Sequence, residues 1–233
     1  MGDRFFRLEG SRGAALHPQL YQRVLQRAKP EREQNKRDTR RVNWWLFGEN
    51  APKLRRALAG LTRFVAVPDT SKFKPFTFLP PSFLPDVQVY CVVSDDAWVL
   101  GVLQSNVHQG WLRMVSPKLE DRPRWKPAIC FDPFPFPACD ESAKERIRRQ
   151  AEDLDVHRKR VQAQYPDVTL TGMYNVLGKL RANEPLTEKE QRLNDLGLVS
   201  VLRKLHDELD AVVFEAYGLG TTLRSRAQAS LSG

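Results

Sequence analysis

An α+β fold is predicted, with a mixed β-rich domain followed by an α-helical C-terminal domain. Two changes of period predict it. Between Arg63 and Leu103 apolar residues alternate or fall in short runs bounded by Pro and Asp. Beyond Pro133, Pro135 and Pro137 they recur at spacings of three, four and seven. The bulk composition agrees: 233 residues, 41% hydrophobic and 28% charged, make one large or two small globular domains.

Residues 1–15 carry Gly2, Gly10 and Gly13 and form a lead-in. Pro18 to Lys29 reads as a short helix with Leu20, Val24 and Leu25 on one side, and Pro30 as its breaker. A charge-dense stretch follows, with Arg32, Lys36, Arg37, Arg40 and Arg41 before the cluster Trp44-Trp45-Leu46-Phe47. So large an apolar pair as Trp44 and Trp45 is read as core. Pro52 opens a helix through Leu54, Ala57, Leu58 and Leu61, weakened at Gly60. Arg63 to Val67 reads as a strand, and Val87, Val89, Cys91 and Val93 as another. After a turn at Asp95-Asp96, the apolar run Trp98 to Leu103 is assigned to the same β-rich part.

Four helices follow. Ile147, Ala151, Leu154, Val161 and Tyr165 mark the first, ended by Pro166, and Leu170, Tyr174, Leu177 and Leu180 the second. Thr187 with Glu190 gives a capping box for the third. Leu198 to Ala216 makes the fourth, ended by Gly218. The expected organisation is a basic arm over 1–42, a recognition domain over 43–137, a helical domain over 138–218 and a tail over 219–233.

Charge points to a polyanion. Residues 1–63 hold 15 Lys/Arg and 6 Asp/Glu, a net +9, while residues 64–233 hold 22 of each and sum to zero. Such asymmetry marks a nucleic-acid-facing arm, with a merely solvated charged face as the plain alternative. Three cysteines without CxxC spacing and four scattered histidines point away from zinc or a disulfide framework. The apolar stretch Val87–Leu103 is broken by Ser94, Asp95 and Asp96, and Met-Gly-Asp-Arg opens no signal core, so no membrane partner and a cytoplasmic location are expected.

Catalytic signatures are missing. There is no Gly-rich cofactor turn, no GxxxxGK[ST] loop and no GxSxG elbow. Pro80-Pro81-Ser82-Phe83 comes nearest to an Asn/Asp-Pro-Pro-aromatic base-holding motif, but Leu79 stands where the amide belongs. Asp69 with Lys72 and Lys74 has neither the order nor the spacing of a nuclease site. Ser105, His108 and Trp111 share one face if helical, which suits packing or phosphate contact better than nucleophilic catalysis.

These segments, taken in order, resemble the target-recognition region of MmeI-like restriction–modification methyltransferases. Arg40-Arg41-Val42-Asn43-Trp44-Trp45-Leu46-Phe47 resembles the family's Trp-Trp entry, and Arg63-Phe64-Val65 with Lys72 and Phe76 the strand after it. Leu100 to Ser105 with His108 and Trp111 is similar to its GxLxSxxHxxW segment, and Phe131 to Pro137 to its closing TFPFP segment, with Pro133 in place of the Thr. Leu170-Thr171 with Tyr174-Asn175, and Leu205-His206 through Gly218, resemble its C-terminal helical domain. The likeness spans residues 17–218.

The resemblance implies sequence-specific recognition of double-stranded DNA within a single-chain, adenine-N6 methyltransferase that often also cleaves. The catalytic domains that precede this region in the family are absent from the sequence. A truncated or split enzyme is therefore expected, working with a separate methyltransferase/endonuclease subunit. No cofactor is expected in this chain; S-adenosylmethionine, and Mg2+ for cleavage, belong to the catalytic domains. The resemblance further assigns base contacts to Glu120, Arg122 and Arg124, residue types that pair with cytosine and guanine edges. Backbone contacts are expected from Arg37, Arg40, Arg41, Arg55, Arg63, Lys72, Lys74, Ser105 and His108, with Arg56 beside them. A stand-alone DNA-binding protein and an independent enzyme are the competing readings.

Overall fold

A computed structural model describes residues 15–46, 51–83, 85–119 and 122–219. The chain divides into two compact units, residues 1–59 with 81–84, and residues 60–80 with 85–233.

In the first unit, α1 (Pro18–Arg27), α2 (Lys29–Glu33), α3 (Asp38–Val42) and α4 (Pro52–Ala57) are short. Proline stands in the first turn of α1, α2 and α4, where its missing N–H leaves no bond unmade. Pro30 thus opens α2 as well as following α1. Trp44 packs on Tyr21 with ring centroids 5.6 Å apart and on Trp45 at 5.8 Å. Both tryptophans are half-buried, while Phe47 lies outside the described residues.

The second unit is α+β, as the two periods predict. Its sheet contains β1 (Phe64–Pro68), β2 (Thr77–Leu79) and β3 (Val89–Val92), ordered β2-β1-β3 and antiparallel throughout. Val65 pairs with Phe78 on one side and Val92 on the other. Next come α5 (Ala97–Gln104), α6 (Asn106–Val115), a small hairpin of β4 (Lys118–Leu119) and β5 (Arg122–Pro123), and α7 (Pro127–Cys130). Four longer helices complete it: α8 (Glu141–Gln164), α9 (Leu170–Arg181), α10 (Glu188–Gly197) and α11 (Val199–Ala216).

The run Trp98 to Leu103 is helix α5, not part of a sheet. Asp96 caps it by accepting from the Trp98 amide at 2.8 Å. A short run apolar on every side carries no period, so strand and buried helix look alike in sequence. The structure explains its composition. Leu100 and Leu103 face the sheet with Val65, Phe76 and Phe78, while Val102 joins Ile147, Leu154 and Leu209 in the helical core. At Gly101 a Cβ would meet Ile147 Cγ2 at 2.6 Å and Ala151 Cβ at 3.1 Å, so α5 and α8 touch nearly backbone to backbone.

The four C-terminal helices lie where their period and caps put them. Asp140 accepts from the Ala143 amide, Thr169 from that of Gly172, and Thr187 with Glu190 forms the expected reciprocal box. Leu198 (φ 46°) and Gly218 (φ 70°) are the left-handed residues at the ends of α10 and α11. Packing continues across residue 137: Phe134 belongs to the same core as Ile147, and Ala151 to the same core as Val65.

Arg158 of α8 lies inside this unit at 1% exposure. Its Nη2 donates to the Phe76 carbonyl at 2.7 Å, and its Nη1 to Gln104 Oε1 and Tyr174 Oη, each at 3.1 Å. Gln104 Oε1 also accepts from the Phe76 amide at 2.9 Å, and Asp155 Oδ1 from Thr77 Oγ1 at 2.7 Å. The amide and carbonyl of Phe76, at the entry to β2, and the amide of Phe78 within it are thus closed by side chains of α5 and α8.

Two stability effects follow. Gly101→Ala gains about 1 kcal/mol of helix propensity. It loses more, about 1–3 kcal/mol, by forcing a methyl into the branched Ile147 side chain, so urea denaturation should give a lower midpoint. Arg158→Met strips a donor from three buried acceptors and should cost about 3–5 kcal/mol by the same measurement.

Candidate nucleic-acid interface

The antiparallel strand pair β4–β5 forms a hairpin with a fixed base. Leu119 pairs with Arg122, and Glu120 and Asp121, between them in sequence, lie outside the described residues. Below the pair, the Arg124 amide donates to Pro117 O at 2.8 Å, and Ser116 Oγ to Arg124 O at 3.0 Å. Trp125 anchors the strand at 1% exposure. Its amide donates to Asp69 O at 2.8 Å, and its ring packs on Phe76, Tyr90 and Phe131, each within 5.9 Å. Arg122 is exposed and Arg124 half-exposed.

Under the hairpin Asp69 gathers basic groups. Its Oδ2 accepts from Arg124 Nη2 at 2.6 Å and from Lys126 Nζ at 3.0 Å. Lys126 Nζ also donates to Tyr90 Oη at 2.9 Å. Burial pushes the Asp69 carboxyl pKa up, but the bonds from Arg124 and Lys126 outweigh it and hold the group ionised, below its ordinary range. The meeting of Asp69 and Lys126 with Arg124 is a contact that the sequence alone does not announce. A signal for Lys126 exists: Arg122, Arg124 and Lys126 stand two residues apart, the spacing that puts extended-chain side chains on one side. Nothing local to Asp69 announces a partner 55 residues away.

Several residues expected to touch phosphate are buried or ion-paired. Lys74 is 2% exposed and donates to Asp69 O at 2.9 Å. Burial pulls its pKa down to about 8. Ser105, fully buried, donates to Val102 O at 2.7 Å. His108, also fully buried, bonds through Nδ1 to Leu103 O at 2.7 Å and stands edge-on to Phe76 and Phe134. Trp111 donates to Cys130 O at 3.2 Å. The Ser105, His108 and Trp111 spacing thus ties α6 to α5 on one side and to α7 on the other. Arg63 forms a two-pronged ion pair with Glu152 of α8 and covers the Phe78 ring, its charge stabilised first by that bond.

The remaining basic residues stay at the surface. Lys72 is exposed, with Nζ 5.5 Å from the Phe73 ring centroid. In the first unit, Arg37 precedes α3, and Arg40 and Arg41 lie on it; Arg41 pairs with Asp38. Arg55 and Arg56 end α4. Among the described residues no group of His, Cys, Asp and Glu is gathered for a metal ion. No described helix is long and apolar enough to cross a membrane.

The comparisons with known proteins converge. The family model described as the MmeI target recognition domain matches residues 11–138. The "DNA methyltransferase A" of Bacillus subtilis (strain 168) is 25% identical over 130 residues, which is 55% of this chain and 12% of that protein. The structure of the Type IIL restriction-modification enzyme MmeI in complex with DNA superposes with a TM-score of 0.61 at 20% identity, covering 91% of this chain and 25% of that one. This chain therefore spans a small part of the proteins it matches.

The buried histidine makes the unit acid-sensitive. Burial lowers the His108 pKa to about 4, so the folded form stays neutral while the unfolded chain takes up a proton below about 6.5. Folding is then opposed by acid: stability present at pH 7 is lost as pH falls from about 6.5 towards 4, by up to about 3 kcal/mol. His157 and His206 shift in the same direction. Urea melts between pH 7 and 4.5 should show this decline. In His108→Gln the slope should be shallower by up to about 1.4 kcal/mol per pH unit, one proton's share.

Proposed function

Because this chain belongs to the family of MmeI target recognition domains, we propose that it reads base sequence in double-stranded DNA for an S-adenosylmethionine-dependent adenine-N6 methyltransferase and restriction enzyme. The observation that carries the reading is the hairpin. It presents Arg122 on a short strand pair and Arg124 just beyond it, next to buried Trp125, which pins the base. A reader needs this combination of an accessible donor fork and a backbone held still, because a bidentate bond to guanine O6 and N7 tolerates little displacement. Glu120, next to the pair in sequence, supplies an acceptor suited to cytosine N4.

Phosphate contact is assigned to the accessible basic residues Arg37, Arg40, Arg41 and Arg55 of the first unit and to Lys72. Lys74, Ser105, His108 and Arg63 are assigned to the scaffold, since burial or ion pairing occupies them. Residues 43–137 carry recognition and residues 138–218 brace it. The methyl donor, and Mg2+ for cleavage, are assigned to catalytic domains that lie outside this sequence.

The test is selection from a randomised duplex library by the pure chain at low salt, followed by sequencing of the bound DNA. Arg122→Ala should relax preference at one base position and leave the others, at a cost of about 1–3 kcal/mol there. Replacing Arg37, Arg40 and Arg41 together by Ala should weaken all sequences alike. It should also flatten the log-affinity against log-salt slope by up to about 0.9 for each phosphate no longer neutralised. Unchanged preference in the first variant, or an unchanged slope in the second, would remove those residues from the interface.

A further inference from the structure

We infer that Asp69 is the positioning residue for Arg124, holding its guanidinium in the orientation from which it meets a base edge; the inference rests on the DNA-reading function proposed above. Asp69 is 3% exposed and stands at the end of β1, on the scaffold rather than on the hairpin. Its backbone is fixed on three sides. The Asp69 amide donates to Gln88 O at 2.7 Å, and its carbonyl accepts from the Trp125 amide at 2.8 Å and Lys74 Nζ at 2.9 Å. A carboxylate so held is a rigid mount.

What it mounts is the outer arginine. Arg124 Nη2 gives one hydrogen to Asp69 Oδ2 at 2.6 Å. Arg124 Nε is buried, yet the side chain is 40% exposed, so its outward part is the terminal fork. Nη2 keeps a second hydrogen, and Nη1 makes no hydrogen bond among the described residues. Those two atoms form the end-on pair of donors that guanine O6 and N7 accept. Lys126 shares Oδ2 and is itself tied to Tyr90 Oη, so the mount also carries a second positive charge beside the fork. A free arginine loses rotamer freedom on binding; this one is ordered beforehand, and the saving appears as discrimination. Asp69 touches no DNA in this arrangement. It acts through Arg124.

The experiment is the same library selection with the full chain, comparing wild type, Asp69→Asn, Arg124→Ala and the double variant. Asp69→Asn should lower preference by about two- to tenfold, the worth of one ordered long side chain, at the position that Arg124→Ala erases and nowhere else. In the Arg124→Ala background Asp69→Asn should add nothing at that position. A uniform loss across all sequences, or a loss that persists without Arg124, would make Asp69 a folding residue and overturn the inference. If Arg124→Ala changes preference and Asp69→Asn does not, the inference falls while the reading of Arg124 stands. If wild type selects no site, or Arg124→Ala alters none, that reading fails and takes the inference with it. Should Asp69→Asn not fold, Asp69→Glu serves the same comparison, since it keeps the charge but displaces it by a methylene.

Discussion

The guanidinium of Arg158 is the constraint around which the second unit is arranged. A buried charge is tolerable only when it is paired and hydrogen-bonded: Asp155 lies 3.5 Å from this one, and its hydrogen bonds reach three elements at once, the strand entry at Phe76, the end of α5 at Gln104, and α9 at Tyr174. Tyr174 passes the connection to His206 of α11 at 2.9 Å. Each partner must arrive in register for the charge to be satisfied, so the network selects one packing of sheet against helices. Apolar contact alone, being non-directional, leaves several open. On that platform Phe76 is fixed, Trp125 packs on Phe76, and the hairpin rises from Trp125.

What the sequence discloses depends on whether the signal is local. Caps and periods are local, and they place α8 to α11 closely, including the Thr187 and Glu190 box. Composition places the sheet but not its extent, because the Trp98 to Leu103 run is apolar on all sides and only Asp96, an N-cap, distinguishes it from a strand. Arg122 and Arg124 are singled out only through likeness to a known recognition segment. The pairing of Asp69 with Arg124 is not announced, since the two come together only after β1 and the hairpin have folded.

Basic residues are the hardest to sort, for a physical reason. A Lys or Arg side chain is long enough to serve a phosphate, a carboxylate or a carbonyl, and residue type does not say which. Lys74 lies between Phe73 and Phe76 in an apolar stretch, a context that favours burial. Arg63 gives no such hint, because Glu152 is 89 residues away. Net charge therefore locates the basic end of the chain more reliably than it locates individual contacts.

The closed side of β2 has a bearing on how copies of this chain behave towards one another. An exposed strand edge is a template on which a second chain can add its own strand, the first step of sheet-to-sheet polymerisation. Here the amide and carbonyl of Phe76 and the amide of Phe78 are already taken by Gln104, Arg158 and Asp155. Displacing them means exposing a buried charge, so an incoming strand competes with the core itself. Aggregation by edge pairing is blocked on that flank for as long as α8 stays docked, and a partly unfolded molecule that has released α8 becomes self-adhesive there.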